Sequence, residues 1–228
     1  MKTKQLNRVL IIVATLMLML GALVSFTACK KDFKPTNLTL EQATTAFDNA
    51  IAKAKTATNI YADAGNGQFI YADADGYYAK SIEDETGELY QETWYAYESS
   101  EWIGYFYYSY ASGEVYNEYK TTMYDDATEA TTNVEYFVNK ELVTIQDDFD
   151  FANLTAKQTA KNVVEISIVE EDDGDELSIK IKIVDGYIKN VKMTATSGGD
   201  SEVYEQSYSY NVQDREIPEL PNIEWTIW

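Results

Sequence analysis

Between Pro35 and Pro218 the chain contains no proline, and most of that span alternates polar and apolar residues. Proline removes a backbone donor and is confined to sheet edges, so a long stretch without it leaves every strand free to pair on both sides. A period of two puts successive side chains on opposite faces of a sheet. The cleanest instance sets Leu177, Ile179, Ile181 and Ile183 against Ser178, Lys180 and Lys182, giving one buried face and one wet face. Polar turn signals break the alternation at Asp73–Gly76, Glu98–Glu101, Ser112–Gly113, Asn139–Lys140, Lys161–Asn162, Asp185–Gly186 and Ser197–Asp200. The intervening segments 68–72, 77–81, 88–97, 102–110, 114–124, 134–138, 142–145, 154–159, 163–169, 177–184, 187–196 and 203–210 read as strands. Their spacing predicts an antiparallel meander of roughly eleven strands.

One segment follows a different period. Over 37–58, Leu40, Ala43, Phe47, Ala50, Ile51 and Ala54 recur three and four apart, which makes an apolar stripe on a helix. Thr39 is placed to cap its start, with Gln42 as the capping-box partner, and Lys53 and Lys55 suit its negative end. The predicted fold class is therefore mainly β with one N-terminal α-helix: a curved antiparallel meander sheet, a half-barrel, packed on that helix.

The start of the chain reads as an address. Met1–Arg8 carries Lys2, Lys4 and Arg8 and no acid, 9–24 is uncharged and apolar, and Ser25-Phe26-Thr27-Ala28-Cys29 follows. A basic start, an apolar run and small residues before a cut form a secretory signal. The Phe26-Thr27-Ala28-Cys29 ending resembles the lipobox of bacterial lipoproteins, with Phe26 in place of the usual Leu. The resemblance implies that Cys29, the sole cysteine, is lipidated and becomes the new N-terminus. It divides the chain into a cleaved signal peptide (1–28), a tether (29–37) and a single β-rich domain (38–228). The protein would then sit on the extracytoplasmic face of the cell membrane, held by acyl chains on Cys29. An uncleaved anchor is the alternative, because the uncharged run is about the 20 residues that a spanning helix needs.

Composition removes several chemistries. The chain has no His and one Cys, so imidazole-based triads, His/Cys zinc sites and disulfide frameworks are excluded. Its net charge of −20 argues against nucleic acid, whose affinity comes largely from Lys and Arg neutralising phosphates. The acidic run Glu170–Glu176 fits no calcium loop register: counting back from Gly174 puts Val169 first and Lys180 last. It reads as a solvated turn, and no metal or other cofactor is expected. Nothing singles out a catalytic carboxylate pair among 38 acids, so the chain is read as non-enzymatic.

A lipid anchor, one N-terminal helix and a meander that closes on the Val184–Met193 hairpin together resemble the lipoprotein-carrier superfamily (LolA/LolB/LppX-like). That resemblance implies an unclosed sheet wrapped round a helix, with an apolar or amphipathic ligand, lipid-like, held between them. The chain departs from it in the Tyr-rich stretch 90–119. Along 102–110 aromatics fall on both faces: Trp102, Phe106 and Tyr108 on one, Tyr105 and Tyr107 on the other. The first set reads as core. Tyr105 and Tyr107, with Tyr95 and Tyr97 on the neighbouring strand, are the candidate ligand-binding residues, since Tyr combines a large ring with a polar tip. The rival readings are cross-strand aromatic packing and a surface module that meets a protein or glycan partner through this face, with no internal cavity. The C-terminal segment with Pro218, Pro221, Trp225 and Trp228 is expected to strap over the sheet.

Overall fold

The computed structural model describes residues 33–82, 88–123, 130–172, 175–213 and 215–227. The expected signal peptide, Cys29 and the Gly174 turn lie outside the described residues. Pro35–Trp228 form one compact unit.

Among the described residues thirteen strands pair into one sheet. They are β1 (Thr36–Asn37), β2 (Ile60–Gly65), β3 (Gln68–Ala72), β4 (Tyr77–Ile82), β5 (Leu89–Glu98), β6 (Glu101–Tyr110) and β7 (Val115–Thr122), followed by β8 (Thr155–Ala160), β9 (Val163–Asp172), β10 (Asp175–Val184), β11 (Tyr187–Ser197), β12 (Asp200–Tyr210) and β13 (Thr226–Ile227). The order is β1-β8-β9-β10-β11-β12-β2-β3-β4-β5-β6-β7-β13. The two edges do not meet, so the sheet is open, and β13 runs parallel to β7, so it is mixed.

These findings correct the expected fold class. A single antiparallel meander would put β8 beside β7; instead the two lie near opposite edges. The chain between them therefore has to cross a face of the sheet, and it does so as helix. Segments 134–138 and 142–145, expected as two strands around an Asn139–Lys140 turn, are α2 (Asn133–Val138), a π-helical turn (Asn139–Val143) and α3 (Thr144–Asp148). Val134, Val138, Leu142, Ile145 and Phe149 make the three-and-four-spaced stripe of a helix, and all are buried. Thr132 caps the start by accepting from Glu135 N at 3.1 Å, and Glu135 accepts from Thr131 N at 3.0 Å. The β-branched residues suggested strands, and the helical period outweighed them.

α1 (Leu40–Lys55) begins at the expected cap. Gln42 N donates to Thr39 Oγ1 at 3.2 Å, and Thr39 N donates to Gln42 Oε1 at 2.9 Å. Its stripe of Ala43, Phe47, Ala50 and Ala54 is fully buried. Leu40, counted in that stripe, is largely exposed instead. α1 packs on β8 and β11, and α2 on β3, β4 and β5, so the helices share one face of the sheet. The core lies between them and rows such as Ala156, Ile166, Ile181 and Val191, which stand side by side across β8 to β11.

The outer face is covered only in part. Tyr78, Trp94 and Tyr105 form a separate buried cluster there, roofed by Ile217 and Trp225 of the C-terminal strap. Trp94 Nε1 donates to Pro218 O at 2.8 Å and pins the strap.

Candidate functional site

The π-helical turn brings two charged side chains under the sheet. Such turns are often found where side chains must be re-aimed at a functional position. Lys140 Nζ donates to Tyr95 Oη at 2.9 Å and lies over the Tyr95 ring, 4.5 Å from its centroid. Glu141 is partly buried, and among the described residues its carboxyl accepts one long hydrogen bond, from Tyr77 Oη at 3.4 Å. Burial pushes the Glu141 carboxyl above the usual carboxylate value; the Lys140 ammonium and the Tyr77 hydroxyl oppose that rise without cancelling it.

Opposite stands β12. Gln206 is 4% exposed, and its Oε1 accepts from Tyr208 Oη at 2.9 Å and Tyr204 Oη at 3.2 Å. Its amide nitrogen has no hydrogen-bond partner among the described residues, an unusual state for a buried donor. Burial raises the Tyr208 and Tyr204 hydroxyls above their usual range, and the Glu141 charge adds to both rises. Glu141, Gln206 and Tyr204 line one cleft of about 280 Å³, with Ile145, Phe149 and Met193 as its apolar wall.

The same face continues past the helices. Phe149 is the last buried side chain of the crossover, and Asp150 N, next in the chain, donates to Glu170 Oε1 at 2.8 Å. Beyond that point no described helix covers the sheet. Met193 pairs with Tyr204, and the next row outward is Glu170, Leu177, Ala195 and Glu202, side by side across four strands. Leu177 is 36% exposed and Tyr204 46% exposed, although both continue the buried faces of their strands. A second cavity of about 690 Å³ opens over this row. Glu170, Asp175, Asp200 and Glu202 line it on the face of Leu177 and Ala195, its floor; Glu171 and Glu176 border it at positions that alternate to the opposite face, and none of the residues lining it is basic. Together the rows make a groove with a polar inner end, an apolar floor and an acidic mouth.

The four tyrosines singled out from sequence are not brought together. Tyr95 is 7% exposed and lies on the helix-covered face, where its hydroxyl meets Lys140 beside the cleft. Tyr105 was expected to be open; it is 6% exposed on the other face, under Trp225, and donates to Glu98 Oε1 at 2.7 Å. The expectation that only one face of β6 is covered is thereby corrected, because the strap buries the second. Tyr107 is half-buried beside Tyr105, and Tyr97 is exposed, its ring tilted against that of Trp102 with 5.4 Å between centroids. Sequence reasoning missed Lys140, having read it with Asn139 as a hairpin turn, and Glu141 next to it. It also missed Gln206 and Tyr204. The clue available was the alternation of β9 and β10, whose core-facing positions turn from aliphatic to acidic toward one end, at Glu170 and Asp175.

No protein-family model matches the chain, and no curated protein is detectably similar to it in sequence. Among the described residues no group of three or more His, Cys, Asp or Glu side chains is arranged to hold a metal ion. No described helix is long and apolar enough to cross a membrane. The fold and groove alone define what can be said of class: a β-rich domain with a partly uncovered internal sheet face.

Proposed function

We propose that this is a lipid-anchored, non-enzymatic bacterial lipoprotein of the extracytoplasmic membrane face, which binds an amphipathic ligand in the groove between its helical crossover and strands β9 to β12. The observation that carries the binding role is the bare row beyond Phe149. A sheet that buries Ile168 and Ile179 completely, then leaves Leu177 and Tyr204 open on the same face, has a place for an apolar body from outside. The outer cavity, about 690 Å³, has the volume usual for small-molecule sites, and the cleft of Glu141 and Gln206 lies on the neighbouring rows of the same face. The anchoring role rests on the sequence 26–29 and the apolar run before it. It explains why an acidic body, repelled by anionic headgroups, needs acyl chains to stay at a membrane.

Two measurements test the two halves. Cys29→Ser should abolish incorporation of radiolabelled palmitate, and unchanged labelling would refute the anchor. Native mass spectrometry of the protein extracted from its membrane should show a co-purifying small molecule that Ala195→Trp removes. A bare mass in both forms would refute the groove as a binding site.

A further inference from the structure

The groove's chemistry narrows its ligand, on the reading that the groove is a binding site. Its mouth carries the four carboxylates that share the face of Leu177 and Ala195, those of Glu170, Asp175, Asp200 and Glu202, and none of the residues lining it is basic, which attracts cations and repels anions. An acidic mouth alone is common on a chain of net charge −20 and would say little. The inner end adds an independent pair of observations. The Glu141 carboxyl is crowded by protein and, among the described residues, holds one long hydrogen bond, where a carboxylate has room for several. The Gln206 amide nitrogen, buried at 4% exposure in the wall of the same cleft, donates to nothing among the described residues. One group wants a donor, preferably charged; the other wants an acceptor. Lys140, the one cation among the described residues lining this cleft, is already engaged by Tyr95. Between inner end and mouth lie Met193, Tyr204, Ala195 and Leu177, an apolar path.

We infer that the ligand is an amphipathic amino alcohol: an ammonium for Glu141, a neighbouring oxygen for Gln206, and an aliphatic or aromatic body along the Met193–Leu177 floor. An anionic fatty acid fits poorly, because its carboxylate would meet carboxylates at both ends. A neutral diol satisfies Gln206 and gains less from Glu141.

The test uses the full chain in phosphatidylcholine nanodiscs and three soluble probes of one length: 2-amino-1-hexanol, 1,2-hexanediol and 2-hydroxyhexanoate. Isothermal titration, with empty discs as blank, reads the affinities. The amino alcohol should bind about tenfold or more tightly than the diol, the scale of one charge-assisted hydrogen bond, and the hydroxy acid weakest. Glu141→Gln should bring the amino alcohol down to the diol's affinity and leave the diol unchanged. Gln206→Leu should weaken both. If the diol or the hydroxy acid binds as well as the amino alcohol, or if Glu141→Gln leaves the preference intact, the ligand class is wrong while the groove stands. If no probe binds the native chain, the groove reading itself falls and this inference with it.

Discussion

Tyr95 stands directly opposite Gly104 in the β5–β6 pair, and its ring carbon Cε1 lies 3.0 Å from where a Cβ on residue 104 would be. Phe106 Cε2 would lie 2.7 Å from that Cβ and Met123 Sδ 2.9 Å. Residue 104 is therefore glycine because three neighbouring side chains occupy the volume that any other residue would need. Glycine within a strand costs stability on its own, and a cross-strand aromatic that covers it offsets the cost. The arrangement also holds Tyr95 in place under Lys140. Gly104→Ala should destabilise by about 1–3 kcal/mol through overpacking, read as a lower urea midpoint. An unchanged midpoint would mean that the rings move aside freely.

The strap makes a second prediction. Trp225 meets Tyr105 edge to face, with 5.2 Å between ring centroids, and is itself only half-buried. Trp225→Ala should cost about 1–3 kcal/mol, below the range for a fully buried Trp, and should make Tyr105 reactive to tetranitromethane. A protected Tyr105 in that variant would show that the strap does not cover it in solution.

Phe47 is fully buried, and its ring lies 5.1 Å from that of Phe151, which follows the crossover. It thus joins α1 to the chain that forms the groove. Phe47→Ala should cost about 3–5 kcal/mol from lost transfer energy and the cavity left behind. A loss under about 1 kcal/mol in chemical denaturation would mean that this contact is not part of the folded core.

The strands were legible where alternation and turn chemistry agreed. Asp185–Gly186 gave the β10–β11 hairpin, where Asp185 and Gly186 both take positive φ, and Thr39 with Gln42 gave the start of α1. The crossover was not legible in the same way. Val134, Val138, Val143 and Ile145 favour strands taken singly, while the spacing of Val134, Val138, Leu142 and Ile145 favours a helix, and only the position of β8 at the far edge decides between them. The site was hidden for the same reason. Glu141 and Gln206 are 65 positions apart and meet in one cleft only because the crossover passes beneath β12. The aromatic stretch misled in the opposite sense. Tyr105 looked spare because one strand has one core face, and the strap that buries its other face lies more than a hundred residues on.

The last prediction concerns pH and Glu141. Among the described residues the titratable groups that act on it are Lys140 beside it, Tyr77 from β4, and Tyr204 and Tyr208 from β12. Burial is the largest influence and raises its pKa above the ordinary 4.5. In the unfolded chain the carboxyl ionises at its ordinary value, so near neutrality the folded state alone carries the cost of a crowded charge. As pH falls through the raised folded value, the folded protein takes up a proton before the unfolded chain does, and this group's contribution turns in favour of folding. The change is complete once pH drops below the unfolded value. Glu141→Gln removes the charge and keeps the shape. The variant should therefore be more stable than the native chain at pH 7, and its advantage should shrink as pH is lowered toward 4.5. The other carboxylates are common to both chains and cancel in the difference between the two urea midpoints. A variant less stable than the native chain at pH 7 would mean that the Glu141 charge is satisfied within the fold by Lys140 and Tyr77. A constant advantage across the range would mean that the carboxyl does not titrate there. The expected pattern, a charge kept at a cost to the folded chain, is what a carboxylate reserved for a ligand's ammonium should show.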